Sequence, residues 1–133
     1  MKRTATLVLL VCCLFGLNAC QSPQKRVRST AEQFLKAYYS GEYRDAAGFC
    51  TPAYAGKITR IADVQGAVPE AIAEKMKAAV SGTSFNIVSV EVDKEAARAV
   101  VHYELAVPML EAPVPRQLLL QLEGRTAAVD GIE

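Results

Sequence analysis

The apolar pattern changes its period once along the chain, close to Gly82, and this change most limits the fold. Before Gly82, apolar side chains recur three and four residues apart, which is typical of amphipathic helices. After Gly82 they alternate with polar residues, as in half-buried strands. Helices followed by consecutive strands favour an α+β fold over alternating α/β units. The sequence therefore predicts N-terminal helices packed in the concave face of a curved antiparallel sheet of about four strands.

The first predicted helix has recognisable start and stop residues. Thr30 is a plausible N-cap, and Gln33 would complete a capping box with it. Gly41 stands where a glycine commonly ends a helix. These signals predict a helix that begins the folded domain at about residue 29.

Three further helices are predicted between this helix and Gly82. One covers residues 42–50, and the next begins with Thr51 as N-cap and Pro52 in the first helical position. The last begins around Pro69. The residues expected to face inward from all four helices are Ala31, Phe34, Leu35, Tyr38, Ala46, Ala47, Phe49, Cys50, Tyr54, Ile58, Ile61, Ile72, Met76, Ala79 and Val80.

Four strands are predicted over residues 85–93, 97–107, 116–123 and 125–130. The apolar phase of the first strand slips between Ile87 and Val88, which predicts a β-bulge there, since an uncorrected slip would turn the strand over. The expected inward residues of the next two strands are Ala99, Val101, Tyr103, Leu105, Leu118, Leu120 and Leu122; Arg98, His102 and Glu104 face outward. Met109 and Leu110, in the loop between these strands, are either a partner-binding tip or an inward continuation of the strand.

The first 19 residues are predicted to be a signal peptide rather than part of the fold. Lys2 and Arg3 precede a nearly continuous apolar run over residues 7–17, followed by small residues. The run is too short to cross a bilayer, which needs about 20 apolar residues.

The end of this leader, Leu17-Asn18-Ala19-Cys20, resembles the lipobox of bacterial lipoproteins, although Asn18 is larger and more polar than usual at its position. The resemblance implies acylation of Cys20 and cleavage before it, giving a palmitate-type membrane anchor with three acyl chains. The alternative is a plain secreted protein cut near Ala19.

The chain from Cys20 onward has 114 of the 133 residues, enough for one small domain. Removing the leader takes two of the 15 basic residues and none of the 14 acidic ones, so the net charge becomes −1. A nearly neutral domain has no electrostatic footprint for nucleic acid. Residues 20–28 are predicted to form a tether before a domain over 29–133. The basic residues of this tether, Lys25, Arg26 and Arg28, either attract anionic lipid head groups or belong to a solvated linker.

Cysteine and histidine are too few to suggest a metal or redox site. Acylation of Cys20 would leave Cys50 without an intramolecular partner, and a lone cysteine is more often a small core residue than a nucleophile. The chain has one histidine and no Cys-x-x-Cys motif after the leader. We therefore expect neither a metal nor a cofactor.

The segment AEQFLKAYYSGEYRDAAGFCTPAY, residues 31–54, resembles the opening of nuclear-transport-factor-2-like, or cystatin-like, domains. The resemblance extends by pattern over residues 28–132, and Ala127 and Ala128 replace the large aromatic common near the last strand. It implies a cone with a pocket at its open end. Some relatives are ketosteroid isomerases or polyketide cyclases, whereas others only bind or dimerise, so the fold does not choose an activity.

The expected lining of such a pocket lacks a proton-transfer group. The candidate lining residues are Phe34, Tyr38, Tyr54, Ile58, Val101, Tyr103, Leu118 and Leu120. Acid–base catalysis requires a titratable group within hydrogen-bond reach of the substrate, but this set contains no Asp, Glu or His. Its tyrosines could orient a ligand or simply pack in the core. His102 is expected on the solvated face.

Three hypotheses follow. The first is a lipid-anchored, non-catalytic envelope domain that binds a small apolar ligand or an envelope protein. The second is an isomerase- or cyclase-like enzyme, which would need Glu104 or Asp130 inside the cone. The third is a homodimer through the outer face of the sheet. Because no acidic run follows Cys20, we expect an anchor that faces the periplasm. The outer membrane is the expected location, and the inner membrane is the alternative.

Overall fold

The computed structural model describes residues 22–133, so the predicted signal peptide and acylation of Cys20 lie outside the described residues. The helices are α1 (Pro23–Tyr39), α2 (Tyr43–Ala47), α3 (Pro52–Ala67) and α4 (Glu70–Val80). The strands are β1 (Ser84–Asp93), β2 (Arg98–Ala106), β3 (Val114–Glu123) and β4 (Thr126–Ile132). The predicted α+β fold is confirmed: the helices precede a curved antiparallel sheet of four strands and α1 packs in its concave face, consistent with a nuclear-transport-factor-2-like cone.

The sheet is a simple antiparallel meander in the order β1-β2-β3-β4. The predicted bulge is confirmed, because the pairing of β1 with β2 shifts between Ile87 and Ser89 and leaves Val88 as the extra residue. A second irregularity shifts the pairing of β3 with β4 between Leu119 and Leu120. The bulge in β1 turns Val88 away from the core, where it is exposed.

The core lies between α1 and the concave face of the sheet. Phe34 and Leu35 of α1 are completely buried, and they belong to one cluster with buried residues of β2, β3 and β4. Val101 and Leu118 contribute from the two central strands, and Val129 contributes from β4. Helix α1 therefore fills the hollow that the curved sheet creates.

Helix α1 begins earlier than predicted, at Pro23. Ser22 is its N-cap, and the Ser22 side-chain oxygen accepts a hydrogen bond of 3.3 Å from the backbone N–H of Lys25. The predicted N-cap at Thr30 is wrong, and the predicted tether over residues 20–28 is wrong from Pro23 onward. The physical reason is Val27, which lies four residues before Ala31 and is also fully buried, so the apolar stripe extends one turn further back.

The start of α3 agrees with the prediction and is tied to the sheet. The Thr51 side-chain oxygen accepts a hydrogen bond of 3.4 Å from the backbone N–H of Tyr54, and Pro52 occupies the first helical position. The Thr51 backbone N–H donates to the Val129 carbonyl at 2.8 Å. A short parallel bridge between Cys50 and Val129 adds to this connection. The loop before α3 is therefore held against β4.

Helix α4 does not pack as predicted. We expected Ile72, Met76, Ala79 and Val80 to face the core, but none of the 11 residues of α4 is buried. The same prediction is wrong for Ile61 of α3, which is 39% exposed. The segment is helical as predicted, but the concave face of the sheet is already filled by α1. Helix α4 therefore has no sheet surface left to cover.

Candidate functional site

The structure brings the predicted lining residues together inside the cone. Six of them are at most 1% exposed and belong to the core cluster: Phe34, Ile58, Val101, Tyr103, Leu118 and Leu120. Tyr38 and Tyr54 are half-buried and pack against its edge. These side chains pack on one another, as expected for a close-packed protein interior.

Aromatic rings occupy the end of the core next to the helices. The Phe34 and Tyr38 rings stack with centroids 5.4 Å apart, and the Tyr54 ring is tilted 6.4 Å from Phe34. Tyr38 also meets Tyr39 and Tyr43 edge-on, at 5.1 Å and 5.4 Å. These are the separations at which aromatic pairs attract one another. The rings therefore stabilise this end of the cone by contact with one another.

A pair of phenol hydroxyls forms a part-buried polar contact at this end of the interior. The Tyr39 and Tyr103 hydroxyl oxygens are 2.9 Å apart and share a hydrogen bond. Burial raises the pKa of Tyr103, the hydrogen bond with Tyr39 raises it further, and Arg116 offsets only part of this. Sequence reasoning missed Tyr39, because it stands outside the stripe of Ala31, Phe34 and Leu35. The only sign of Tyr39 in the sequence was its position directly after Tyr38.

The phenols of this region are hydrogen-bond donors rather than bases. Burial raises the pKa of Tyr54 to about 12, and burial together with neighbouring Tyr43 raises the pKa of Tyr38. A phenol with a raised pKa keeps its proton near neutrality. These side chains can orient a polar group but do not remove a proton from one.

The carboxylates that an enzyme of this fold would need lie elsewhere. Glu104 is exposed, on the strand face opposite Tyr103. Asp130 accepts hydrogen bonds from the Thr51 hydroxyl at 2.9 Å and the Gln121 side-chain amide at 3.1 Å. Among the described residues neither carboxylate bonds to a tyrosine. Asp130 therefore connects β4 to α3.

His102 and Cys50 also have simple surroundings. His102 Nε2 lies 3.3 Å from a carboxylate oxygen of Glu91 across β1 and β2, on the outer face as predicted. The Cys50 thiol donates to the Ala46 carbonyl at 3.3 Å, and burial raises its pKa to about 12. A protonated thiol is a poor nucleophile. Residues 22–133 contain no group of three or more His, Cys, Asp or Glu side chains that could hold a metal ion.

Five of the exposed large apolar side chains among the described residues lie on α3 and α4. We call the surface that they form the α3–α4 face; it comprises Ile61, Val64, Ile72, Met76 and Val80, whose exposures range from 39% to 65%. A groove of about 130 Å³ runs through it between the two helices. Contiguous apolar surfaces of this kind tend to mark interaction sites.

Lysines border the apolar stripe of α4. A helix turns about 100° per residue, so Lys75 and Lys77 flank the stripe of Ile72, Met76 and Val80 on its two sides. The same rotation places Glu74 on the far side of the helix and Glu70 within about 20° of Lys77, two turns earlier. Lys77 also lines the groove, so lysines border the stripe at the level of Met76.

The α3–α4 face lies at the opposite end of the domain from the start of α1. Pro23 lies beside the turns that join β1 to β2 and β3 to β4. Helix α1 then runs 17 residues, about 25 Å at 1.5 Å per residue, to the end where Gly41 and Tyr43 line the groove. At that same end Gly82 packs against Pro108, next to Met109 and Leu110. Both of these loop residues are exposed, as a partner-binding tip would be.

Comparisons with known proteins leave the family open. No protein-family model matches the chain, and a search of curated proteins found no significant match. The resemblance to nuclear-transport-factor-2-like lipoproteins therefore stays a prediction beyond the fold itself. Between residues 22 and 133, no helix has both the length and the apolar character needed to cross a membrane.

Proposed function

We propose that this protein is a lipid-anchored, non-catalytic interaction domain of the bacterial cell envelope. Acyl chains on Cys20 would hold it to a membrane, in our proposal the periplasmic face of the outer membrane. The observation that supports an interaction role is the α3–α4 face, an apolar surface that the fold leaves uncovered. The lipobox-like leader supports the anchor.

A protein partner fits this surface better than a small apolar ligand in the cone. The predicted lining residues are packed into the core, and Tyr103 and Phe34 are at most 1% exposed. The isomerase-like alternative has less support. It needs Glu104 or Asp130 beside a tyrosine inside the cone, but Glu104 is exposed and Asp130 bonds to Thr51 and Gln121. The α3–α4 face, in contrast, is exposed to solvent and comprises five apolar side chains.

The lysines define the chemistry of the partner. An interface is strengthened when basic and acidic groups face each other and weakened when like charges do. A second copy packing α4 against α4 would bring Lys75 and Lys77 close to the same lysines. The anchoring membrane would lie about 25 Å away, at the other end of α1. We therefore propose an envelope protein whose contact surface combines apolar side chains with carboxylates.

The anchor is tested by intact-mass measurement and palmitate labelling of the protein made in a bacterial host. We expect a chain that begins at Cys20 and carries three acyl groups, and Cys20→Ser should abolish labelling. Cys50→Ser is the matched control and should label normally. A mature chain without acyl groups that begins elsewhere would contradict the anchor.

The partner is tested by placing a photo-crosslinking residue at Met76 in intact cells. We expect one discrete adduct with another envelope protein, lost when Lys75→Glu and Lys77→Glu reverse the charge of the border. The same crosslinker at Val88, an exposed apolar position on β1, is the control and should give no adduct. An adduct of twice the chain mass, or one that survives charge reversal, would contradict a partner with an acidic surface.

A further inference from the structure

A second cavity lies at the end of the domain where α1 begins. It has a volume of about 280 Å³, is partly open to solvent, and is bordered by the first turn of α1 and the tips of both outer hairpins. Arg26 contributes from α1, Lys94 from the turn between β1 and β2, and Leu122 and Ala127 from the ends of β3 and β4. None of these residues belongs to the α3–α4 face or to the aromatic interior.

The charged side of this cavity holds two cations and no carboxylate. Neither Arg26 nor Lys94 has an ion-pair partner among residues 22–133. No Asp or Glu lines this cavity, although Asp93 and Glu95 line an adjoining one that shares Pro23 and Lys94. A guanidinium forms paired hydrogen bonds with phosphate oxygens, and an ammonium adds a point charge. The two cations therefore suit a phosphate group.

The other side of the cavity is apolar. Apolar side chains line the cavity beside the cations: Pro23, Ala97, Leu122 and Ala127. A free inorganic phosphate would gain nothing from these side chains. An anionic amphiphile would place its phosphate on the cations and its first methylene groups against the apolar side chains. Each methylene buried there contributes about 0.8 kcal/mol.

The place of the cavity in the chain identifies the source of such an amphiphile. Cys20 is three residues before Pro23, and successive Cα atoms are 3.80 Å apart, so the two Cα atoms are separated by at most about 11 Å. If Cys20 is acylated, on which this step rests, the cavity must lie at the membrane surface. We propose that this cavity binds the phosphate of an anionic phospholipid, with Arg26 and Lys94 as the phosphate ligands. Binding there would direct the α3–α4 face away from the membrane.

Native mass spectrometry of the full protein purified in detergent tests this site, because it counts bound lipids directly. We would add dioleoyl phosphatidylglycerol, dioleoyl phosphatidylcholine or inorganic phosphate. We expect one phosphatidylglycerol per chain, bound about tenfold more tightly than phosphatidylcholine, because both lipids carry a phosphate anion but the choline cation of phosphatidylcholine would be repelled by Arg26 and Lys94. Arg26→Gln and Lys94→Gln should each lower this affinity about tenfold.

Lys25→Gln and Arg125→Gln are the matched controls, since each removes a neighbouring positive charge outside the cavity lining. Both should bind within about twofold of the unmodified protein, because exposed charges act weakly. Equal losses in all four variants, or equal affinity for the two lipids, would overturn the site. Inorganic phosphate that competes as well as the lipid would also overturn it, because the apolar wall would then have no role.

The same spectra report the mass of the protein itself, so the two proposals fail separately. A chain without acyl groups would contradict the anchor whatever its lipid occupancy. An acylated chain that binds no phosphatidylglycerol would contradict only the cavity. Thermal unfolding of each variant in parallel shows whether a lost lipid adduct reflects a lost fold.

Discussion

Helices α1 and α4 have similar sequence patterns and opposite fates in the fold. Both carry an apolar stripe at helical spacing, and α1 buries four residues completely while α4 buries none. Helix α1 has Ser22 as a side-chain cap, whereas α4 begins after Pro69 without one. The comparison shows that an amphipathic stripe reports a preference for burial. Which stripe is buried depends on which helix occupies the single concave surface.

The two helices should therefore differ in local stability. Burial of a large apolar side chain contributes about 1.5–3 kcal/mol, and α1 gains this at Phe34 and Leu35. An isolated helix shorter than about 12–15 residues is marginal in water, and α4 has 11 residues. We infer that α1 is part of the most stable unit of the domain and that α4 opens most easily.

The largest expected effect comes from removing the main side chain of α1. Phe34→Ala should lower the free energy of unfolding by about 3–5 kcal/mol, because it leaves a cavity in the core. Ile72→Ala is the matched truncation on α4 and should cost less than about 0.5 kcal/mol. Chemical denaturation of both variants measures the difference. Equal costs would mean that α4 is packed in solution.

The buried hydroxyl pair should produce the next effect. Tyr39→Phe leaves the Tyr103 hydroxyl without its partner and should cost about 1–3 kcal/mol. The double change with Tyr103→Phe should cost less than the sum of the two single changes, because the partners are then removed together. Tyr43→Phe, which removes a phenol hydroxyl from the same aromatic cluster, is the control and should change stability little. Additive single costs would show that the hydroxyls do not interact.

Thr51 joins α3 to the sheet, and its replacement should lower the free energy of unfolding by as much as the loss of the hydroxyl pair or by less. Thr51→Val removes both the cap of α3 and the donor to Asp130, and we expect a loss of about 1–2 kcal/mol. Thr59→Val is the matched control, because the Thr59 hydroxyl only bonds back to the Ala55 carbonyl within α3. Thermal unfolding of both variants tests this. An equal loss in the control would remove the special role of Thr51.

The buried phenols also predict how stability depends on pH. Their pKa values in the folded protein are raised above the ordinary value near 10, to about 12 for Tyr54, so the folded state retains protons that the unfolded state loses. The stabilisation is complete below about pH 10 and is lost as the pH rises through about 12. Denaturation measured along this range should show the decline, and Tyr103→Phe should make it shallower. Stability that is constant over this range would contradict the burial of these phenols.

The smallest expected effect on stability comes from a substitution in the exposed apolar stripe of α4. Met76→Glu should change the free energy of unfolding by less than about 0.5 kcal/mol, since the side chain is 54% exposed. Hydrogen exchange should show that the α4 amides are less protected than those of α1. Protection of α4 equal to that of α1 in the isolated protein would contradict the comparison. The same variant should nevertheless abolish the envelope crosslinks of a photo-crosslinking residue placed at Ile72 of the α3–α4 face.

Local patterns were sufficient for several features of this fold. The change of period at Gly82 predicted helices followed by strands. The phase slip after Ile87 predicted the bulge, and Thr51 with Pro52 predicted the start of α3. Each of these depends on neighbours along the chain, where backbone sterics and alternation act directly. The inward faces of β2 and β3 followed for the same reason.

Other features needed the packed structure. The sequence of α4 alone could not show that α1 and Ile58 of α3 already complete the core against the sheet. Tyr39 could not be paired with Tyr103 from spacing, since 64 residues separate them. The cavity around Arg26 and Lys94 likewise requires α1 and two hairpin tips to meet. The sequence by itself determined the elements, their order and the alternation of their faces, because these follow from short-range geometry. Tertiary structure decided which of the available apolar faces were buried and which charges met, because the area of the concave sheet surface is limited and helices compete for it.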